Sequence, residues 1–125
     1  MNSDNSLNRF ISAQQPLYPQ VLKELRNSKK TTHWMWLIFP QIEGLGHSST
    51  AKYYSIKTIE EAKEYLDHPV LGKRLLECSN TILHFNGKSV TDIFGSPDDM
   101  KLRSCMTLFN SISPENKVFT NVLQK

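Results

Sequence analysis

Apolar residues recur three and four positions apart along most of the chain, with polar residues between them. This spacing puts the apolar side chains on one face of an α-helix, as in helices that pack against a core. The clearest stripes run from Leu17 to Leu25, from Val70 to Phe85 and from Leu102 to Ile112. Asn86-Gly87 is the one dipeptide typical of a hairpin, and strict alternation of apolar and polar residues does not flank it. The pattern therefore predicts an all-α fold.

The first two helices follow from local signals. A mobile tail is expected at residues 1–6, followed by a helix from Leu7 to Gln15. Pro19 suits the first turn of the second helix, whose apolar stripe faces the core. Three charged residues of this helix fall on the side predicted to face solvent. They are Lys23, Glu24 and Arg26.

Further helix starts divide the rest of the chain into short segments. Ser48 or Ser49 can cap one helix, and Thr58 with Glu61 forms a capping box, in which the glutamate reaches back to the cap. Ser89 begins a single helical turn. Ser-Pro-acid sequences at Ser96 and Ser113 predict two more helix starts. The sequence thus predicts one domain, residues 1–125, of about seven or eight short helices.

The most apolar segment reads His33-Trp34-Met35-Trp36-Leu37-Ile38-Phe39-Pro40 and contains both tryptophans. Such a short apolar run fits either a strand or a helix. A lone strand would leave its backbone groups unpaired, and no other segment has the pattern of a partner strand. We therefore predict a buried helix from Trp34 to Phe39, ended by Pro40, at the centre of the fold.

Composition narrows the functional classes. The net charge is +3, and the first 52 residues hold six basic against three acidic residues. This excess is too small to indicate nucleic-acid binding. No apolar run approaches the about 20 residues that span a bilayer. Residues 1–8 lack the apolar core of a signal peptide, so we expect a cytoplasmic protein with no membrane partner.

The cysteines and histidines do not suggest metal chemistry. Cys78 and Cys105 lie on apolar faces and are predicted to be buried free thiols, as in a reducing compartment. The histidines are scattered without the spacing of metal ligands. We therefore expect neither a metal nor a cofactor. The four histidines are His33, His47, His68 and His84.

Three stretches are similar to those of a known family. They read His33-Trp34-Met35-Trp36 through Phe39-Pro40-Gln41 with Gly44-Leu45-Gly46, then His68-Pro69-Val70-Leu71-Gly72 with Arg74-Leu75, then Phe94-Gly95-Ser96-Pro97-Asp98-Asp99 with Lys101-Leu102-Arg103-Ser104. Over nearly its whole length the chain resembles the uncharacterised family called domain of unknown function 1810, seen mainly in bacteria and sometimes labelled calpastatin. The resemblance implies a single, mostly helical domain and no particular activity. Because family members usually continue past the point where this chain stops, it also raises the expectation of a truncated C-terminal end.

Two residues near the tryptophan segment could carry acid–base chemistry. His33 could be a general acid or base or a hydrogen-bonding ligand contact, since the ordinary pKa of histidine suits both roles. The plainer interpretation is a histidine bonded to backbone at the entrance of a helix. Glu43 is the candidate carboxylate base because it adjoins a glycine-rich turn. Whether any reaction is catalysed stays open.

Other residues could hold a ligand. Trp34 and Trp36 diverge by about 200° on a helix, so one could face a cleft and stack on a planar group. The plainer interpretation is that both fill space in the core. Gln41 and the turn formed by Gly44 and Gly46 could approach a phosphate or carboxylate, although a plain turn explains them equally. Two further cations could bind an anion or pair with neighbouring aspartates. These are Lys101 and Arg103.

These candidates lead to one hypothesis and two alternatives. The hypothesis is a pocket that binds, and could hydrolyse, a small anionic nucleotide-like or NAD-derived ligand. Its expected lining is His33, Trp36, Gln41, the turn at 44–46 and Arg103. The first alternative is a non-catalytic interaction module with an exposed apolar patch around Tyr53, Tyr54 and Tyr65. The second is a weak nucleic-acid binder, and the expected state is a monomer or weak homodimer.

Overall fold

The computed structural model describes residues 3–45, 48–84 and 87–125. Within these ranges nine α-helices form one domain, which confirms the all-α prediction. The number exceeds the predicted seven or eight because the turn after Ser89 is a helix of its own. The helices are α1 (Ser3–Gln14), α2 (Tyr18–Arg26), α3 (Met35–Ile38), α4 (Ser49–Tyr53), α5 (Ile59–Asp67), α6 (Leu71–Leu83), α7 (Val90–Phe94), α8 (Asp98–Ile112) and α9 (Lys117–Gln124).

The tryptophan segment lies at the centre of the fold, as predicted. Its helix, α3, contacts α1, α6 and α8. Trp34 precedes α3 and packs against Phe39 and Phe94, with ring centroids 6.2 Å away in both cases. In the described ranges the only β-type pairing is one bridge between Ile42 and Ile56, outside this helix. Both thiols, Cys78 and Cys105, are buried and free as predicted.

A buried carboxylate holds the segment between α2 and α3. Glu24 is 3% exposed, so its predicted position on the solvent side of α2 is wrong. Its Oε1 accepts hydrogen bonds from the Thr31 and Thr32 amides at 2.7 and 3.0 Å and from the Trp34 indole at 2.9 Å. Its Oε2 accepts from the Thr32 hydroxyl at 2.6 Å and from Gln20 at 3.0 Å. Because these donors surround the carboxylate, it turns the chain and points Trp34 into the core.

These contacts change the acidity of the Glu24 carboxyl group. Burial alone would raise its pKa, because a buried charge loses hydration. The hydrogen bonds from Thr32, Gln20 and Thr31 outweigh burial and lower the pKa from its ordinary value of 4.5 to about 2. Folding therefore favours the ionised form.

Two of the predicted helix starts agree with the structure and two do not. Ser48 and Thr58 cap α4 and α5 as predicted. Glu61 accepts a hydrogen bond from the Lys57 amide, one residue before the cap, at 2.8 Å. The prediction of a cap at Ser96 is wrong, since Pro97 holds that position and α8 starts at Asp98. Ser113 instead ends α8, and α9 starts only at Lys117.

The first helix also begins earlier than predicted. It starts at Ser3 and not at Leu7, and residues 1–2 lie outside the described ranges. Phe85 and Asn86, predicted to end α6, also lie outside them, and the described helix ends at Leu83. None of the described helices has the length and apolar character that crossing a bilayer requires.

Replacing Glu24 with glutamine should remove one pH-dependent part of the stability. A carboxyl group whose pKa is lowered by folding stabilises the protein above its unfolded pKa, and that contribution is lost as the pH falls through the folded pKa. We expect wild-type stability to lose about 3 kcal/mol from this residue between pH 5 and pH 2. Glu24→Gln should lack this loss and be less stable at pH 7 by about 1–3 kcal/mol. Urea unfolding across this pH range measures both effects.

The matched control is Glu64→Gln, because Glu64 is exposed on α5. Its unfolding should keep the wild-type dependence on pH. An unchanged pH dependence in Glu24→Gln would contradict the role assigned to the buried carboxylate.

The protein should be more stable when glycine replaces Ser28. Its backbone has φ of 56°, in the left-handed region that glycine adopts without cost. Its buried hydroxyl has no hydrogen-bond partner among the described residues. Ser28→Gly relieves both costs, and the greater freedom of glycine in the unfolded chain offsets part of the gain. We expect about 1 kcal/mol of added stability, measured by urea unfolding. Lower stability in this variant would show that the hydroxyl has an important partner.

Candidate functional site

A pocket opens between the residues that precede α3 and the start of α8. Its volume is about 310 Å³. We call it the tryptophan pocket, because Trp36 forms part of its wall. The described residues that line it are Lys30, His33, Met35, Trp36, Ser96, Pro97, Asp98 and Lys101.

Two local structures bring these residues together. The Glu24 carboxylate holds the amides of Thr31 and Thr32, which sets the path of the chain on either side of them. The Lys30 amide donates to the Ile93 carbonyl at 2.8 Å, and this bond ties the same segment to α7. The next helix after α7 is α8, whose first turn supplies the opposite wall. The pocket therefore joins residues that are far apart in the chain.

The two lysines of the pocket share one carboxylate. Lys30 Nζ lies 2.8 Å from Asp98 Oδ2, and Lys101 Nζ lies 3.4 Å from Asp98 Oδ1. Lys30 also donates to the Thr32 carbonyl at 2.7 Å, and its side chain is only 7% exposed. One carboxylate cannot neutralise two ammonium groups. The pocket thus keeps an excess of positive charge.

The two tryptophans have different roles, as their spacing suggests. Trp34 is 1% exposed and its indole donates to Glu24, so it is a core residue and not a ligand contact. Trp36 is half-buried and lines the pocket. Lys101 Nζ lies 4.5 Å from the centre of the Trp36 ring, within the range of a cation–π interaction. One face of this ring therefore has a cation against it.

The two candidate acid–base residues lie in different surroundings. His33 is exposed at the pocket, and its side chain makes no hydrogen bond to the described residues. Glu43 is exposed and is not among the described residues that line the tryptophan pocket. Its Oε1 lies 3.9 Å from Lys57 Nζ. The lining carboxylate, Asp98, is instead engaged by the two lysines. The arrangement supports binding of an anion better than acid–base catalysis.

Gln41 and Gly44 are not among the described residues that line the tryptophan pocket. Gln41 is half-buried, and its backbone carbonyl accepts a hydrogen bond from the Ile56 amide at 2.7 Å. Gly44 has φ of 101° and open space around the position of a Cβ, which is the geometry of an exposed turn. Gly46 lies outside the described residues. The prediction that these residues share a hollow with His33 gains no support from the described contacts.

Arg103 lies in a different depression from Lys101. Residues two apart on a helix project about 200° from each other, so the two cations of α8 point to different openings. Arg103 lines a groove with the apolar side chains of Leu45 and Ile59. The predicted single pocket containing both His33 and Arg103 is therefore wrong.

The tyrosine patch expected for a protein partner is not formed. Tyr65 is fully buried, and its hydroxyl accepts a hydrogen bond from Gln14 at 3.0 Å. Tyr54 is half-buried, and only Tyr53 of the three is exposed. The three rings do not make a continuous exposed surface.

Sequence reasoning missed the roles of Lys30 and Asp98. Lys30 belongs to a small basic cluster just before His33, and this proximity is the signal that could have found it. Asp98 is explained in sequence as a helix-start residue, and nothing local connects it with Lys30. No group of three or more metal-ligating side chains occurs in the part of the chain that the structure describes.

Comparison with known proteins identifies the fold and the family. A solved structure, described as the conserved hypothetical protein Rv1873 from Mycobacterium tuberculosis, is 47% identical and superimposes with a TM-score of 0.92. The match covers 94% of this chain and 84% of that chain. No curated protein matches. The family described as "Protein of unknown function (DUF1810)" matches residues 4–125, and the chain therefore belongs to the DUF1810 family.

Proposed function

We propose that the tryptophan pocket binds a small anionic ligand that carries a planar ring, such as a nucleotide or an NAD-derived compound. The observation that carries this proposal is the pair of ammonium groups, from Lys30 and Lys101, around one carboxylate and beside the half-buried Trp36 ring.

The charge of the pocket favours a phosphate or carboxylate group. Lysine ammonium groups bind phosphate as point charges. Asp98 holds the two ammonium groups close to each other before the ligand arrives, so less side-chain freedom is lost on binding. Because Lys30 is largely shielded from water, its attraction for an anion is stronger than that of a freely exposed lysine.

The indole of Trp36 favours a planar group on the same ligand. Lys101 lies against the ring in the free protein. An anionic group that draws Lys101 away would uncover the ring for stacking. Stacking of a base on an aromatic side chain contributes about 1–3 kcal/mol. A ligand with both groups therefore gains from both contacts.

The proposal is limited to binding. Hydrolysis would need a base near the reacting atoms, and the candidate base Glu43 is not in the described wall of the pocket. His33 lines the pocket, and its imidazole can donate or accept a hydrogen bond. We assign it a role in contacting the ligand.

Tryptophan fluorescence tests the ligand class. We expect a change in fluorescence and a higher melting temperature with at least one of AMP, ADP, NAD and ADP-ribose. Trp36→Phe should lose most of the fluorescence change and bind about tenfold more weakly, because the stacking surface shrinks. Trp34 stays in that variant and reports on the core. Tyr53→Leu, a change of an exposed aromatic residue outside the pocket, is the control and should bind as wild type. No response to the whole panel would reject the proposal.

Removal of one pocket lysine tests the anion contact. Lys101→Met should weaken binding about fivefold to tenfold and make the affinity less sensitive to salt. Isothermal titration calorimetry at two salt concentrations measures both quantities. Lys63→Met, on the exposed side of α5, should change neither. Equal losses in the two variants would mean that the overall charge of the protein, and not the pocket, attracts the ligand.

A further inference from the structure

A second depression lies along the other side of α8. It has a volume of about 460 Å³, within the size range of small-molecule sites. Four apolar residues line it together with polar residues of α8, among them Arg103 and Ser104. We call it the Arg103 groove. Its apolar residues are Ile42, Leu45, Ile59 and Leu108.

Two of the four apolar residues are exposed to solvent. Leu45 is 51% exposed and Ile59 is 42% exposed, although both are large aliphatic residues. Leu45 belongs to the segment after α3, whereas Ile59 is the first residue of α5. Leu45 and Ile59 thus form an apolar surface in one groove. An apolar ligand that covered this surface would bind favourably, because the contact removes apolar surface from water.

Arg103 supplies a cation at the same groove. No carboxylate among the described residues lies within 4.0 Å of its guanidinium group, in contrast to Lys30 and Lys101. A guanidinium group matches the two oxygens of a carboxylate. This charge beside apolar residues therefore complements a ligand that has one carboxylate and an apolar body.

The other polar residues of the groove leave recognition mainly to Arg103. The Thr107 hydroxyl donates to the Arg103 carbonyl at 2.7 Å, and the Ser111 hydroxyl donates to the Leu108 carbonyl at 2.6 Å. Their hydrogens are thus used within α8. The Ser104 hydroxyl makes no hydrogen bond to the described residues and can donate to a ligand oxygen beside the guanidinium group. Such a groove suits a ligand with few polar groups.

We propose that the Arg103 groove binds a small monocarboxylate with an aliphatic body, of the medium-chain fatty acid type. The aliphatic chain lies on Leu45 and Ile59, and the carboxylate pairs with Arg103. This site shares no described lining residue with the tryptophan pocket, so it is independent of the function proposed above. The charge of Arg103 distinguishes this ligand from a neutral lipid or a cationic amphiphile.

Amide chemical shifts measured by NMR test the location and the chemistry. Decanoate, kept below its micelle concentration, should shift the amide signals of Ile59 and Thr107 and leave the Trp36 indole signal in place. Affinity should rise from hexanoate to octanoate to decanoate by about twofold per methylene group, since each is only partly buried in an open groove. Decanol and decyltrimethylammonium should bind more weakly than decanoate. Shifts at Trp36 in place of the groove, or no shifts at all, would overturn the proposal.

Two variants separate the two halves of the ligand. Arg103→Gln should weaken decanoate about threefold to fivefold and leave decanol unchanged, because only the carboxylate contact is lost. Ile59→Ser should weaken both ligands about fivefold. Arg26→Gln, an exposed arginine on α2, is the control and should change neither. If Arg103→Gln binds decanoate as wild type does, the groove does not recognise a carboxylate.

Further controls check that the variants fold, that the guanidinium geometry matters, and that the ligand is a free carboxylate and not a membrane surface. Arg103→Gln and Ile59→Ser change exposed residues, so the melting temperatures of these two variants should stay near that of the wild type. Arg103→Lys provides a second test, since it keeps the charge but loses the paired hydrogen bonds and should give an intermediate affinity. Binding to anionic vesicles without any response to monomeric decanoate would overturn the proposal in favour of a lipid surface.

Discussion

The arrangement of this molecule depends on a single buried carboxylate. Glu24 accepts hydrogen bonds from two backbone amides and an indole through Oε1, and from a hydroxyl and an amide side chain through Oε2. These partners satisfy the charge, which would otherwise be too costly to bury. They also determine how the chain enters α3. Trp34 turns inward because its indole donates a hydrogen bond to Glu24, whereas Trp36, in the α3 helix that follows, lines the pocket. The core and the candidate site thus share one interaction.

The same interaction has an electrostatic consequence at the pocket. Lys30 lies directly before the amides that Glu24 holds, and it meets Asp98 from the start of α8. Lys101 reaches the same carboxylate from within the first turn of α8. Two ammonium groups near each other repel, and one carboxylate only partly offsets that repulsion. A site of this kind is stabilised further by an added anion, which is the physical basis of the proposed ligand class.

Local patterns predicted the helices better than they predicted the site. The apolar spacing and the caps at Ser48 and Thr58 depend on neighbours in sequence, so they were visible without the structure. Glu24 was assigned to the solvent side, because its partners Thr32 and Trp34 lie beyond the end of its helix. The contact between Lys30 and Asp98 joins the two ends of a long stretch of chain, and no local pattern encodes it. The opposite directions of Lys101 and Arg103 follow from helix geometry, but the openings they face depend on tertiary packing.

Selectivity of the proposed ligand site in the tryptophan pocket would follow from the contacts that the free protein already makes. An anion without a ring can use the excess positive charge of the two lysines around Asp98, but it gains no stacking contact. A ring without an anion must displace Lys101 from the indole and leave that ammonium group with a weaker set of partners. A ligand with both groups replaces each lost contact by a similar one at the same time. The proposed pocket would therefore favour compounds that carry both groups, because a compound with only one of them gains only part of the available contacts.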